Sequence, residues 1–247
     1  MMVPPTGRTK VATESAAAIG TRTHDLAAYL GLSALALTPT LVAGQATGAA
    51  FGRYFGVLHP AHVVIGATAV GGIALGWLRT RFGFRVVRGR ATVGGVVVAA
   101  ALATGLAASV VVADVLLGYP QGMNVPLPEA LAFYPAVGYV AELLFHVLPL
   151  AVVLAVLLPA RTRLGKEPMA WLAIALVAAL EPTFHVLSDG DLLSPLAGYT
   201  WIHVYVFSLL QLALFRRYDF VSMVAMRLVY YGYWHVLWGT LRLDVLF

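Results

Sequence analysis

The sequence predicts an all-α, polytopic membrane bundle of about seven helices, with the N-terminus inside and the C-terminus outside. Three observations predict it. Only 11% of the 247 residues are charged, against about 25% in an ordinary soluble domain. The mean hydropathy is +0.85, and the apolar residues fall in runs long enough to cross a bilayer. The basic residues sit in every second segment between those runs, so that they gather on one side.

Seven spans are expected, at roughly 26–43, 61–78, 91–117, 133–158, 169–187, 198–215 and 220–241. Residues 1–24 are polar without an apolar centre, so they are expected as a short disordered cytoplasmic tail rather than a secretory signal. Residues 25–247 then form one transmembrane domain. Arg8, Lys10 and Arg22 lie in the tail. Arg79, Arg81, Arg85, Arg88 and Arg90 follow span 2. Arg161, Arg163 and Lys166 follow span 4, and Arg216 and Arg217 follow span 6. Together these are 13 of the 16 Lys and Arg. An even number of spans would break the alternation. The formal net charge of +5 therefore reflects sidedness, and no nucleic-acid partner is expected. The partners expected are the lipid bilayer, in a prokaryotic cell membrane, and a membrane-embedded peptide or protein substrate. With no cysteine in the chain, disulfides, thiolate nucleophiles and thiolate metal sites are excluded.

Glycines at 44, 48, 52 and 56 recur every four residues, and Gly72 and Gly76 form a GxxxG pair. Both patterns are expected to serve close helix packing.

Spans 4 to 7 carry ionisable residues, which are costly in hydrocarbon and usually face the bundle interior. Glu142 and His146 are four apart, as are Glu181 and His185, so each pair shares a helix face. With His203 and His235, six such residues on four helices fall in the outer half of the membrane when depth is counted at 1.5 Å per residue. Arg227 lies near the inner end of span 7 and is expected to snorkel to the cytoplasmic surface. Carboxylate and imidazole on facing helices suit zinc or another divalent first-row metal, with His146, His185, His203 and Glu181 as the candidate ligands. Pro149 and Pro182 leave the carbonyls of Phe145 and Ala178 without their helical donors, and kinks there are expected to widen a cavity. Imidazoles could instead ligate a b-type haem, and the glutamates could relay protons or bind a cation.

Three of these segments, in order, resemble the CPBP family of CAAX-prenyl proteases and bacteriocin-processing intramembrane proteases. That family carries Glu-Glu-x-x-x-Arg, Phe-x-x-x-His and His-x-x-x-Asn on three membrane helices. Here AELLFH aligns Glu142 with the second glutamate and His146 with the arginine. The second motif ends at His185, with Glu181 at the aromatic position. The third is HVLWG, with His235 in place and Gly239 at the asparagine. The gaps of 43 and 50 residues between Glu142, His185 and His235 match the family, and the resemblance spans about 110 residues. Ala141 stands where the first glutamate, the water activator, belongs. The resemblance implies a metal-dependent or Glu/His-dependent intramembrane peptidase with Glu142, Glu181, His185 and His235 as catalytic residues. In it Glu142 or Glu181 holds water with His185, and His235 donates to the oxyanion. An inactive family scaffold is the alternative that the losses at 141 and 239 raise.

Overall fold

Long apolar runs give long helices, and a computed structural model of the protein, describing residues 6–42, 50–52, 56–189 and 193–247, contains only helices among its described regular elements. The first is α1 (Thr6–Val42), which begins inside the expected tail. Then come α2 (Pro60–Phe82) and α3 (Arg90–Leu117). Helix α4 (Ala130–Ala141) runs through a π-helical turn, Glu142–Val147, into α5 (Leu148–Leu157). Helices α6 (Lys166–Ala178) and α7 (Leu180–Asp189) follow as one broken rod, and α8 is Pro195–Arg217. Last, α9 (Phe220–Tyr231) passes through a second π-helical turn, Gly232–Trp238, into α10 (Gly239–Val245). Five helical segments are long and apolar enough to cross a membrane: Pro60–Phe82, Arg90–Leu117, Ala130–Leu164, Lys166–Ser188 and Pro195–Arg217. A multi-pass integral membrane protein is compatible with that. The other two expected spans coincide with parts of α1 and with α9–α10.

Two of the helix irregularities lie beside prolines. Pro149 has no N–H to offer the Phe145 carbonyl, and the π-helical turn ends just before it. Pro182 sits in the first turn of α7, after a break at Ala179.

Packing depends on small residues, though not where the glycine spacing pointed. Gly44, Gly48 and Arg53 lie outside the described residues. A Cβ at Gly52, Gly56 or Gly76 would meet nothing within 4 Å, while one at Gly72 would touch the Tyr29 ring at 3.2 Å. The tight seam is instead between α3 and α9. Gly95, Ala99, Ala103 and Ala107 recur every four residues along α3 and are all buried. A Cβ on Gly95 would stand 2.8 Å from the Tyr218 side chain and closer still to Ser222 Oγ. With no side chain between them, the two backbones approach closely. Helix α8 then packs against α9, α7, α6 and α3, and Glu142 and His146 of the first π-helical turn, Glu181 of α7, Gln211 of α8 and Arg227 of α9 meet in one interior region.

Candidate functional site

The centre of this region is Arg227, 1% exposed. Its guanidinium forks onto Glu181, with Nη1 donating to Oε1 at 2.7 Å and Nη2 to Oε2 at 2.8 Å. Its Nε donates to Glu142 Oε1 at 2.6 Å, Nη1 also to the Tyr231 hydroxyl at 2.9 Å, and Nη2 also to Gln211 Oε1 at 3.1 Å. The rings of Phe207 and Tyr231 lie 5.3 and 5.5 Å from the guanidinium carbon, where a cation is attracted to the ring faces. Gly138 makes room on α4: a Cβ there would meet the Tyr231 ring at 3.2 Å and Arg227 Cδ at 3.3 Å.

Arg227 therefore does not snorkel. Two carboxylates inside the bundle need a cation, and the arginine stem of Arg227 reaches both from α9. Helix counting located the Cα, whereas the charge resides at the far end of the side chain.

The rest of the cluster completes the coordination of the carboxylates. Gln211 Nε2 also donates to Glu142 Oε1, and Ser208 Oγ donates to Glu181 Oε2 at 3.2 Å. His146 Nδ1 lies 2.8 Å from Glu142 Oε2, so the four-residue spacing does bring them together, and its Nε2 lies 3.5 Å from Glu181 Oε2. Two carboxylates thus share one guanidinium, and both ring nitrogens of His146 face them; removing one partner from such a buried set is strongly destabilising. Glu142 and His146 are both 0% exposed.

Around this sealed centre the remaining candidates separate. His185 is 44% exposed, with Nε2 3.9 Å from Glu181 Oε1, beyond hydrogen-bond length. His203 stands apart. Its Nε2 is 2.9 Å from the Tyr230 hydroxyl, and its Nδ1 is 3.1 Å from Tyr199 and 3.3 Å from Ser109. Of the expected ligand set, His146 and His185 both approach Glu181, His203 lies apart from the other three, and Arg227 stands between the two carboxylates. Among the described residues no three His, Asp or Glu side chains are grouped to hold a metal ion.

His235 lies on the second π-helical turn, stacked on Tyr134 with ring centroids 4.6 Å apart. Its Nδ1 is 2.7 Å from Asn124 Oδ1. An amide oxygen only accepts, so Nδ1 carries the proton and the neutral ring presents a lone pair at Nε2. Asn124 also lies against Gly239: a Cβ there would come within 2.8 Å of Asn124 Nδ2. That Nδ2 is buried without a hydrogen-bond partner. The side chain of Asn124 thus occupies the space over Gly239.

The loop carrying Asn124 is tied down by a second buried ion pair. Arg242 forks onto Asp114, Nε to Oδ2 at 2.7 Å and Nη2 to Oδ1 at 2.8 Å, and donates to the carbonyls of Tyr119 and Pro120. Trp238 Nε1 also donates to Asp114 Oδ2 at 2.7 Å. Neither this pair nor Asn124 emerged from the sequence. Asp114 and Arg242 end spans 3 and 7 on the same expected side, so matched depth could have paired them. No local spacing points to Asn124, 111 residues from its histidine.

Comparison with family models, with curated proteins and with solved structures gives no match.

Proposed function

We propose that the protein is a seven-span, N-in, C-out intramembrane peptide hydrolase of altered CPBP type, working through histidines at the rim of a sealed ionic cluster. Helices at all seven expected places and the alternating basic loops support the topology. One observation carries the chemistry: Asn124 rebuilds from a loop the His–Asn pair that Gly239 removes from the helix.

The Asn124 bond assigns His235 a role opposite to the donor role expected from the motif. With Nδ1–H held by Asn124, His235 Nε2 takes a proton from water, as an oriented imidazole does in other hydrolases. The water oxygen bonds to the peptide carbonyl carbon. His235 then passes the proton to the leaving amine as the C–N bond breaks. His185, half-exposed beside Glu181, is the available donor for the oxyanion. Glu181 holds charge beside His185. Glu142 and Glu181 are not the base in this scheme: their oxygens are taken up by Arg227, Gln211, Ser208 and His146.

The saturation of those same two carboxylates favours a second reading, a catalytically silent scaffold. One experiment separates the two. Detergent-purified full-length protein is incubated with a proteome-derived peptide library, and new peptide termini are read by mass spectrometry. The hydrolase reading expects cleavage that His235→Ala abolishes and Asn124→Ala lowers about 100-fold, both variants eluting as folded protein. No cleavage by the wild type would leave the scaffold.

A further inference from the structure

A second site lies at the opposite, basic end of the bundle. Between α1, the end of α2 and the loop leading to α3 is a cavity of about 690 Å³, lined by Arg22, Arg79, Arg85 and Arg88 together with His24 and Gly83. The buried carboxylate at its edge is Asp25, whose Oδ2 stands 3.1 Å from Arg79 Nε and 3.2 Å from Arg85 Nε. No described carboxylate forms an ion pair with Arg22 or Arg88. Two of the four guanidinium groups pair with Asp25, and Arg88 has Asp25 and Asp219 nearby without an ion pair to either.

The loop that presents these groups is fixed in advance. Val87 N–H donates to Asp25 Oδ1 at 3.1 Å, and Arg88 N–H to Asp219 Oδ2 at 3.0 Å. The carbonyls of Arg85 and Val86 accept from the N–H groups of Phe220 and Val221. Gly83 and Gly89, at φ 78° and 60°, make the turns at either end, a region open to glycine at little cost. Arginines held close on a pinned loop cannot spread apart to relieve their mutual repulsion.

We infer that this cavity binds a phosphate-bearing anion, and that two or more of its arginines clasp the phosphate oxygens. Guanidinium forks match phosphate geometry, and the volume lies in the range of ligand pockets, about 300–1,000 Å³. Basic pockets between helices on the cytoplasmic side suit anionic lipid headgroups, and a soluble phosphate ester presents the same chemistry. Burial, with Arg216 and Arg85 close by, holds the Arg88 guanidinium below its usual value; a bound anion would reverse that. The inference is independent of the proposed hydrolase.

The test uses detergent-purified full-length protein and native mass spectrometry, with phosphatidylglycerol, phosphatidylcholine and glycerol 3-phosphate as separate probes. Wild type should retain phosphatidylglycerol over phosphatidylcholine, or bind glycerol 3-phosphate. Arg22→Gln/Arg88→Gln should weaken that binding about tenfold or more. Arg161→Gln/Arg163→Gln, which removes equal charge from another basic loop, should not. Arg22→Gln alone, at an exposed position, provides a milder variant if the double variant melts early. Competition by glycerol 3-phosphate identifies a soluble ligand, and lipid retention without it identifies a headgroup. Equal weakening in both double variants, or no binding to any anionic probe, overturns the inference.

Discussion

The sealed cluster around Arg227 and the open rim around His235 lie on the same helix, one in each half of α9 and its π-helical extension, yet they handle polar groups in opposite ways. In the cluster nearly every donor and acceptor is used. Glu142 accepts from Arg227 and Gln211 and pairs with His146, and Arg227 serves four partners. At the rim His235 is bonded through Nδ1 alone and Asn124 Nδ2 has no hydrogen-bond partner, whereas in the cluster only His146 Nε2 is left without one. Saturation is what lipid demands of a charge, because an unpaired one has no water to turn to. Capacity left over, beside a half-exposed histidine, is what chemistry on a substrate demands. The strongest interactions are therefore poor guides to the reacting groups, and the proposed catalytic roles fall on the less fully bonded residues.

That contrast breaks first, and hardest, at Arg227. Arg227→Met keeps the apolar volume but leaves two buried carboxylates facing each other. Removing one partner of a buried pair costs about 3–5 kcal/mol. Unfolding in a detergent titration should fall by that amount. Arg227→Met/Glu142→Gln/Glu181→Gln should recover most of the loss, because the penalty comes from uncompensated charge rather than from lost contacts. A single variant within about 0.5 kcal/mol of wild type would mean the cluster is not sealed.

The two regions also differ in how far a sequence can reveal them. Apolar runs marked the helices well, since crossing a bilayer leaves few other solutions. Counting depth along those runs brought Glu142, His146 and Glu181 together, because i and i+4 share a face and matched depth does the rest. It failed for Arg227, whose charge lies several ångströms from its Cα, and for His203, which was expected at the same depth but faces Tyr199, Ser109 and Tyr230. It could not find Asn124, whose partnership is made by a loop fold. The four-residue glycine pattern drew attention to residues 44–56, while the seam that brings α3 and α9 together uses Gly95 with three alanines. Alanine is so common in apolar helices that its spacing carries little signal until a partner surface is seen.

A smaller effect is expected at the contact between rim and loop. Gly239→Ala adds a single methyl group, 2.8 Å from Asn124 Nδ2 and 3.0 Å from its Cγ. One of the two must move. The loop is anchored by Asp114 and Arg242, so the side chain of Asn124 should give way, at about 1–3 kcal/mol for overpacking. Losing the bond to His235 Nδ1 frees the ring to change tautomer. Peptide cleavage should drop far more than stability does, the reverse of the pattern at Arg227. A Gly239→Ala protein with full activity would detach Asn124 from the mechanism.

The smallest change in stability should come from exchanging the two residues. In Asn124→Gly/Gly239→Asn the asparagine moves onto the helix, one turn from His235, and the glycine onto the loop. Both backbones permit it. Residue 239 is helical, at φ −53° and ψ −31°, and residue 124 is extended, at φ −93° and ψ 146°. Glycine on the loop costs about 0.5–1 kcal/mol in chain entropy. The space vacated by Asn124 is the space a side chain at 239 enters, so volume is conserved where the single Gly239→Ala overfills it. If the rim needs only an amide oxygen at His235 Nδ1, the exchanged protein should cleave peptides at a rate within about tenfold of wild type, while Asn124→Gly alone is nearly silent. Equal loss in the single and exchanged variants would show that the loop itself, and not the amide it delivers, is what His235 requires.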